Sequence, residues 1–307
     1  MMCLARSRAA LSVVIIAPLL LTSCFSRLRD IKRGTHPGVT TLLEATKPQL
    51  IQSISDFYES IHSFSLESRL IVSTGSLYKG QIRDYSETLG YIDFRKPSDI
   101  RVIGMLPIVG TVGLNMVSDG KTFKVSIPPK SRFYEGDNDA PAESANKFEN
   151  IRPEMFLSAM LVKPVDPEKE MTIKVDDITE EYAYYQLAIV KKLPDGDIQA
   201  ERRVTFDRVN LYIIEEREYS PDGSIVSVSH YGDWATYNGV RFPNHIDISR
   251  PKEEIAIELN ITKMDMNTPI ADTKFVLTKP DGFELKVIGK PTSLAPDPVK
   301  DQAKGHR

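Results

Sequence analysis

The chain has 307 residues, of which 41% are apolar, 26% charged and 8% aromatic. That is a globular composition, too apolar for a disordered chain. Lys and Arg total 39 against 42 Asp and Glu, and the net charge of −3 leaves no basic footprint for nucleic acid. Both cysteines, Cys3 and Cys24, fall at the N-terminus. The remainder therefore has no disulfide framework, no cysteine-rich metal site and no thiol nucleophile.

Arg6 and Arg8 precede an apolar run from Ala9 to Leu21. The run is shorter than the roughly 20 residues of a membrane span and fits the apolar core of a secretory signal. It ends in Leu21-Thr22-Ser23-Cys24, which resembles the bacterial lipobox. The resemblance implies that residues 1–23 are a signal peptide and that Cys24 is acylated. Phe25 follows, where aspartate is the familiar signal for inner-membrane retention, so the outer membrane, facing the periplasm, is the expected address.

Residues 24–39 carry Arg27, Arg29, Lys32 and Arg33 against Asp30. They read as a tether that either meets lipid phosphates or is a solvated linker. Residues 288–307 read as a disordered tail, which leaves 40–287 as a single domain.

A first helix is expected between Thr41 and His62. Capping boxes start at both Thr41 and Thr46, so the helix restarts or kinks near Pro48. Leu50, Ile54, Phe57 and Ile61 form one apolar stripe, suited to packing on a sheet. From Phe64 the period switches to two and returns through Met266, with turn signals at Asp119-Gly120, Asp195-Gly196, Asp222-Gly223, Asn238-Gly239 and Asp281-Gly282. Such turns supply the positive φ of tight hairpins. The fold class is mainly β with few helices: one large antiparallel sheet, strongly curved or nearly closed.

Two segments break the alternation. A short helix opens at Ile151-Arg152-Pro153-Glu154 and is apolar nearly all round, which demands burial. It is expected on the concave face as a plug, with Met155, Phe156, Ala159 and Met160 as candidate cavity-lining residues; core filling is the alternative. The stretch Val102–Val117 has no charged residue, and Gly104, Pro107, Gly110 and Gly113 forbid a regular helix. It reads as strand, apolar loop, strand. The loop is either buried, or lines a cavity, or touches a membrane.

The order of these parts resembles the LolA/LolB lipoprotein-localisation family over residues 40–285. The matching pieces are the opening helix with Ser63-Phe64-Ser65-Leu66, then Phe94-Arg95-Lys96-Pro97, and Ser118-Asp119-Gly120-Lys121. Asn238-Gly239-Val240-Arg241-Phe242-Pro243 and Met264-Asp265-Met266-Asn267 close the series. The resemblance implies an open half-barrel around an apolar cavity. It implies as partners the acyl chains of lipoproteins or lipids, and the outer membrane through lipidated Cys24; it admits a periplasmic carrier protein. The lipid anchor favours the LolB side. There an apolar loop is matched by Leu106-Pro107-Ile108-Val109-Gly110, with Leu106, Ile108 and Val109 as membrane-contacting candidates. The alternatives are a glycolipid or phospholipid carrier of the LppX/LprG type and an RseB-like envelope-stress sensor.

No enzyme is expected. The pairs Asp176-Asp177, Glu180-Glu181, Glu215-Glu216 and Glu253-Glu254 alternate faces on strands and make poor acid/base dyads. His230 and His245 have no metal-ligand spacing. No cofactor is expected either.

Overall fold

The computed structural model describes residues 41–76, 79–140, 147–179 and 181–288. The expected signal peptide and the linker with Cys24 lie outside the described residues, as does the expected tail apart from Ile288.

The first helix, α1, runs Lys47–Ser60, with Thr46 as N-cap. The Gln49 side chain accepts the Thr46 N–H at 2.8 Å, so the second of the two capping boxes starts the helix. The first, at Thr41, goes unused. The Leu43 N–H donates to the Arg208 carbonyl at 2.7 Å, and Glu44 accepts from Arg208 and from the Tyr185 hydroxyl. These long-range partners hold residues 41–46 out of helix and outweigh a local signal worth about 1 kcal/mol. Leu50 and Ile54 are buried. Phe57 packs edge-on against Trp234, with ring centroids 5.8 Å apart, and stacks on Phe242 at 6.2 Å.

Seven strands follow: β1 Ser63–Ser76, β2 Gln81–Asp84, β3 Thr88–Arg95, β4 Asp99–Met105, β5 Val112–Ser118, β6 Thr122–Ile127 and β7 Arg132–Asp137. The second helix, α2, is Pro153–Met160. The C-terminal half adds β8 Glu170–Ile178, β9 Ala183–Lys192, β10 Ile198–Asp207, β11 Ile213–Tyr219, β12 Ile225–Tyr237, β13 Val240–Arg250 and β14 Ile255–Met266. Last comes β15, Glu284–Ile288.

Among the described residues these make one 15-stranded sheet in the order β15-β7-β6-β5-β4-β3-β1-β14-β13-β12-β11-β10-β9-β8, with β2 paired to β1. Strands that pair are consecutive in sequence except β1 with β3, β1 with β14, which joins the two halves, and β15 with β7. The joining pair is antiparallel from Phe64↔Met266 to Thr74↔Ile255. Every pair is antiparallel except β15 with β7, a departure from the all-antiparallel expectation. β8 and β15 do not pair with each other, so the sheet is unclosed. Between β12 and β13 the Tyr237↔Val240 pair encloses Asn238 (φ 47°) and Gly239 (φ 82°), the two-residue turn whose twist matches the strands.

The sheet bends around α2. This helix packs against β4 and β5 and also against β13. In sheet order β4 and β13 are four spacings apart, roughly 19 Å in a flat sheet. A helix of two turns reaches both only if the sheet folds round it. The inner face carries the core: Phe64, Ile92, Phe94, Val102, Leu187, Phe206, Phe242 and Leu259 are all buried there.

Candidate functional site: an apolar cavity and its projecting loop

On the inner face of the N-terminal half, the sheet and α2 do not meet fully. A cavity of about 350 Å³ remains between them. Its walls come from five places: Leu70 and Val72 of β1; Tyr85, Ser86 and Thr88; Val102, Gly104 and Met105 of β4; Leu114 of β5; and Ile127 at the end of β6. Ile151 and Phe156 close it from the helical side, and Lys130 stands with Pro129 at its rim. Aliphatic walls with few polar groups are the usual makeup of a small-molecule site of this size.

Glycine makes the space. Gly104 faces inward on β4, and a β-carbon there would meet nothing nearer than the Leu114 and Leu70 side chains, both at 3.8 Å. Any other residue in this strand would place its side chain in the cavity.

The loop joining β4 to β5 continues the cavity wall outward. Leu106 and Pro107 line the cavity. The next two residues leave it: Ile108 is fully exposed and Val109 is 69% exposed. The tip is held by backbone bonds from Leu106 N–H to the Thr111 carbonyl, 2.7 Å, and from Gly110 N–H to the Leu106 carbonyl, 3.1 Å. Ile108 adopts φ 70°, a left-handed conformation that is rare for a β-branched residue. Thus of the three loop candidates, Leu106 belongs to the cavity and Ile108 and Val109 to solvent. Two aliphatic side chains stand out beside an apolar opening.

The candidates on α2 divide differently. Phe156 lines the cavity. Met155, Ala159 and Met160 are buried but are not in its wall, which corrects the expectation for those three. Successive residues of a helix point about 100° apart, so a helix buried all round turns only one narrow face to any cavity. Met155 instead lies over a polar recess with Arg152, Arg250 and Glu253, and Leu157 and Leu161 face another with Tyr58 and Lys163. Ile151, before the helix, is a cavity residue that sequence reading did not single out; its only signal was apolarity next to Pro153.

The carboxylates and histidines lie elsewhere. Glu215 and Glu216, neighbours on β11, turn to opposite faces. Glu216 is buried beside Arg202, with Oε1 3.5 Å from its guanidinium. Burial, aided by the charge of Glu218 and opposed by Arg202, pushes its carboxyl up to about 8. Burial acts upward on Glu215 too, but hydrogen bonds from His230, Arg217 and Arg203 outweigh it and hold that carboxyl down at about 2. On opposite faces the two cannot serve one substrate. Among the described residues, one group has metal-type donors close together: His245, Asp247 and Glu258 on β13 and β14. There Nε2 of His245 is 3.0 Å from Asp247 and Nδ1 is 2.7 Å from Asn260. Both ring nitrogens are thereby engaged in hydrogen bonds.

No family model matches the chain, and no curated protein matches it. Solved structures of similar shape include a DUF1329 family protein from Desulfovibrio piger, 12% identical, with a TM-score of 0.48 over 74% of this chain and 94% of that one. An outer membrane lipoprotein-sorting protein domain, so described, from Vibrio parahaemolyticus is 9% identical, with a TM-score of 0.49 over 74% and 94%. A LolA superfamily protein from Nitrosomonas europaea is 11% identical, with a TM-score of 0.48 over 76% and 99%. At these values the functional reading rests on the cavity and its loop.

Proposed function

We propose that this chain is a lipid-anchored envelope protein of LolA/LolB character that binds the acyl chains of lipoproteins or lipids and serves lipoprotein localisation at the outer membrane. The observation that carries the reading is the aliphatic cavity of about 350 Å³ opening beside the exposed Ile108. The role is binding, not catalysis. Each methylene moved from water into such a cavity contributes about 0.8 kcal/mol, so a partly inserted acyl chain is held firmly without a polar anchor. Ile108 and Val109 are the loop residues that enter the membrane or release the cargo. The N-terminus supports the same reading: residues 1–23 are a signal peptide, Cys24 is acylated, and multiple acyl chains keep the protein on the periplasmic face of the membrane.

Mass spectrometry tests both halves. Lipid extracted from the purified protein is expected to contain acyl species in near-stoichiometric amount, and to be markedly reduced in Gly104→Leu, whose side chain takes up part of the cavity. The mature N-terminus is expected to be acylated Cys24. Lipid-free wild type, or equal lipid in wild type and Gly104→Leu, contradicts the cavity reading; an unmodified Cys24 contradicts the anchor.

A further inference from the structure

The C-terminal half of the sheet ends at β8, and among the described residues no strand pairs with its far side. An unpaired edge is a template for another strand, and natural proteins usually blunt one with charges, proline or a covering segment. The inner face of β8 is occupied: Lys174 lies 3.8 Å from the centre of the Tyr185 ring and donates to the Ala45 carbonyl at 2.8 Å. The outer face is different. Met171, Ile173 and Val175 point outward in a row and are 42%, 53% and 46% exposed. They are opposite Val190, Ala188 and Gln186 of β9, so the apolar strip continues inward behind Met171 and Ile173 and meets a polar side chain behind Val175.

Charge brackets this strip. The alternate positions beyond it are Lys169, just before the strand, and Asp177 near its end. Lys169 sits in the turn that leads into the strand, its exposed Nζ 3.0 Å from Asp166, and Asp177 accepts from Gln186 at 2.9 Å; along the edge the alternate positions read Lys169, Met171, Ile173, Val175, Asp177, with opposite charges at the two ends. Such a row is complementary to its own reverse.

We infer that β8 is a self-association surface, pairing antiparallel with β8 of a second copy about a two-fold axis at Ile173. In that register Ile173 meets its own counterpart, Met171 meets Val175 twice, and Lys169 meets Asp177 twice. A slip of two residues either way removes both ion pairs, and parallel pairing sets like charges together. Cross-strand apolar and opposite-charge pairs are the contacts that stabilise antiparallel sheets, and a two-fold axis makes each occur twice. On the inner face Glu170 comes opposite Asp176. Each already has a cation of its own: Arg202 is 3.5 Å from Glu170, and Lys174 is 3.3 Å from Asp176. This surface lies at the opposite side of the sheet order from the cavity strands and does not depend on what the cavity holds.

The test is sedimentation equilibrium of the full-length protein in density-matched detergent. Wild type is expected to be a dimer at micromolar concentration. Lys169→Asp and Asp177→Lys, each replacing two attractions by two repulsions, are expected to weaken it at least about tenfold. The double variant Lys169→Asp/Asp177→Lys restores both pairs and is expected to recover wild-type association, with melting temperatures unchanged throughout. Ile173→Lys, a charge on the axis, is expected to leave a monomer. A wild type that stays monomeric at 100 micromolar overturns the inference, including one whose strip instead binds lipid vesicles. So does a dimer indifferent to all four variants.

Discussion

The side chain of Leu106 fills the space that a β-carbon on Gly113 would need: a Cβ built there lies 2.9 Å from Leu106 Cδ2. Leu106 belongs to the cavity wall with Pro107 after it, and Gly113 faces it from β5. The absence of a side chain at Gly113 is what lets the wall close at this point.

Gly113→Val should therefore push Leu106 away and reshape the mouth of the cavity. Overpacking of this kind costs about 1–3 kcal/mol, but the Leu106 end is flexible, so the lower figure is expected. Affinity for a fluorescent fatty acid should change severalfold while the thermal transition stays cooperative. An unaltered affinity would separate Leu106 from ligand binding.

Ile108 provides a sharper separation of stability from function. It is fully exposed, so Ile108→Glu should leave stability within about 0.5 kcal/mol of wild type. Its positive φ means that Ile108→Gly should stabilise slightly, since a left-handed non-glycine residue costs on the order of 1 kcal/mol or more. Both variants should lose transfer of a lipoprotein to vesicles, which loses the contribution of about 1.5–3 kcal/mol from burying that side chain. Melting curves and a transfer assay on the same preparations check this; full transfer by either variant would remove the loop from the mechanism.

Glu216 should give the protein an unusual pH response. Its folded carboxyl titrates at about 8, above the ordinary 4.5, so the native state holds that proton more tightly than the unfolded chain does. The stabilisation from this group is complete below about pH 4.5 and is lost as the pH rises towards 8, with a slope on the order of 1 kcal/mol per pH unit. Glu215, held down at about 2, acts oppositely: its contribution is present above 4.5 and fades as the pH falls. Denaturant titrations from pH 5 to 8 should show a downward slope in wild type that Glu216→Gln flattens. Equal slopes would mean that Arg202 keeps Glu216 ionised.

Much of this architecture is written locally. The stripe Leu50, Ile54, Phe57 lies on the sheet as its spacing requires, and Asn238-Gly239 turns where its chemistry demands. Other features depend on partners distant in sequence. The Thr41 capping box is overruled by the Arg208 carbonyl and guanidinium, which no local pattern announces. β15 escapes notice because Leu285 and Val287 are exposed, and the Asp281-Gly282 turn before it opens no hairpin but leads into a strand parallel to β7. The uncharged loop was visible as an anomaly, but its exposure depends on how far the β4–β5 hairpin extends beyond α2. Likewise, the cavity owes its space to Gly104 and the closure of its wall to Gly113, and a missing side chain leaves no hydrophobic signature.

The most direct test of the central claim is to map a bound acyl chain. A fatty acid bearing a photoactivatable diazirine near its methyl end, crosslinked to the full-length protein and located by peptide mass spectrometry, should label Val102–Pro107, Leu114 and the segment from Ile151 to Phe156. Labelling should fall sharply in Gly104→Leu. Labels confined to the outer strip of β8, or labels in the cavity segments undiminished in Gly104→Leu, would contradict the account.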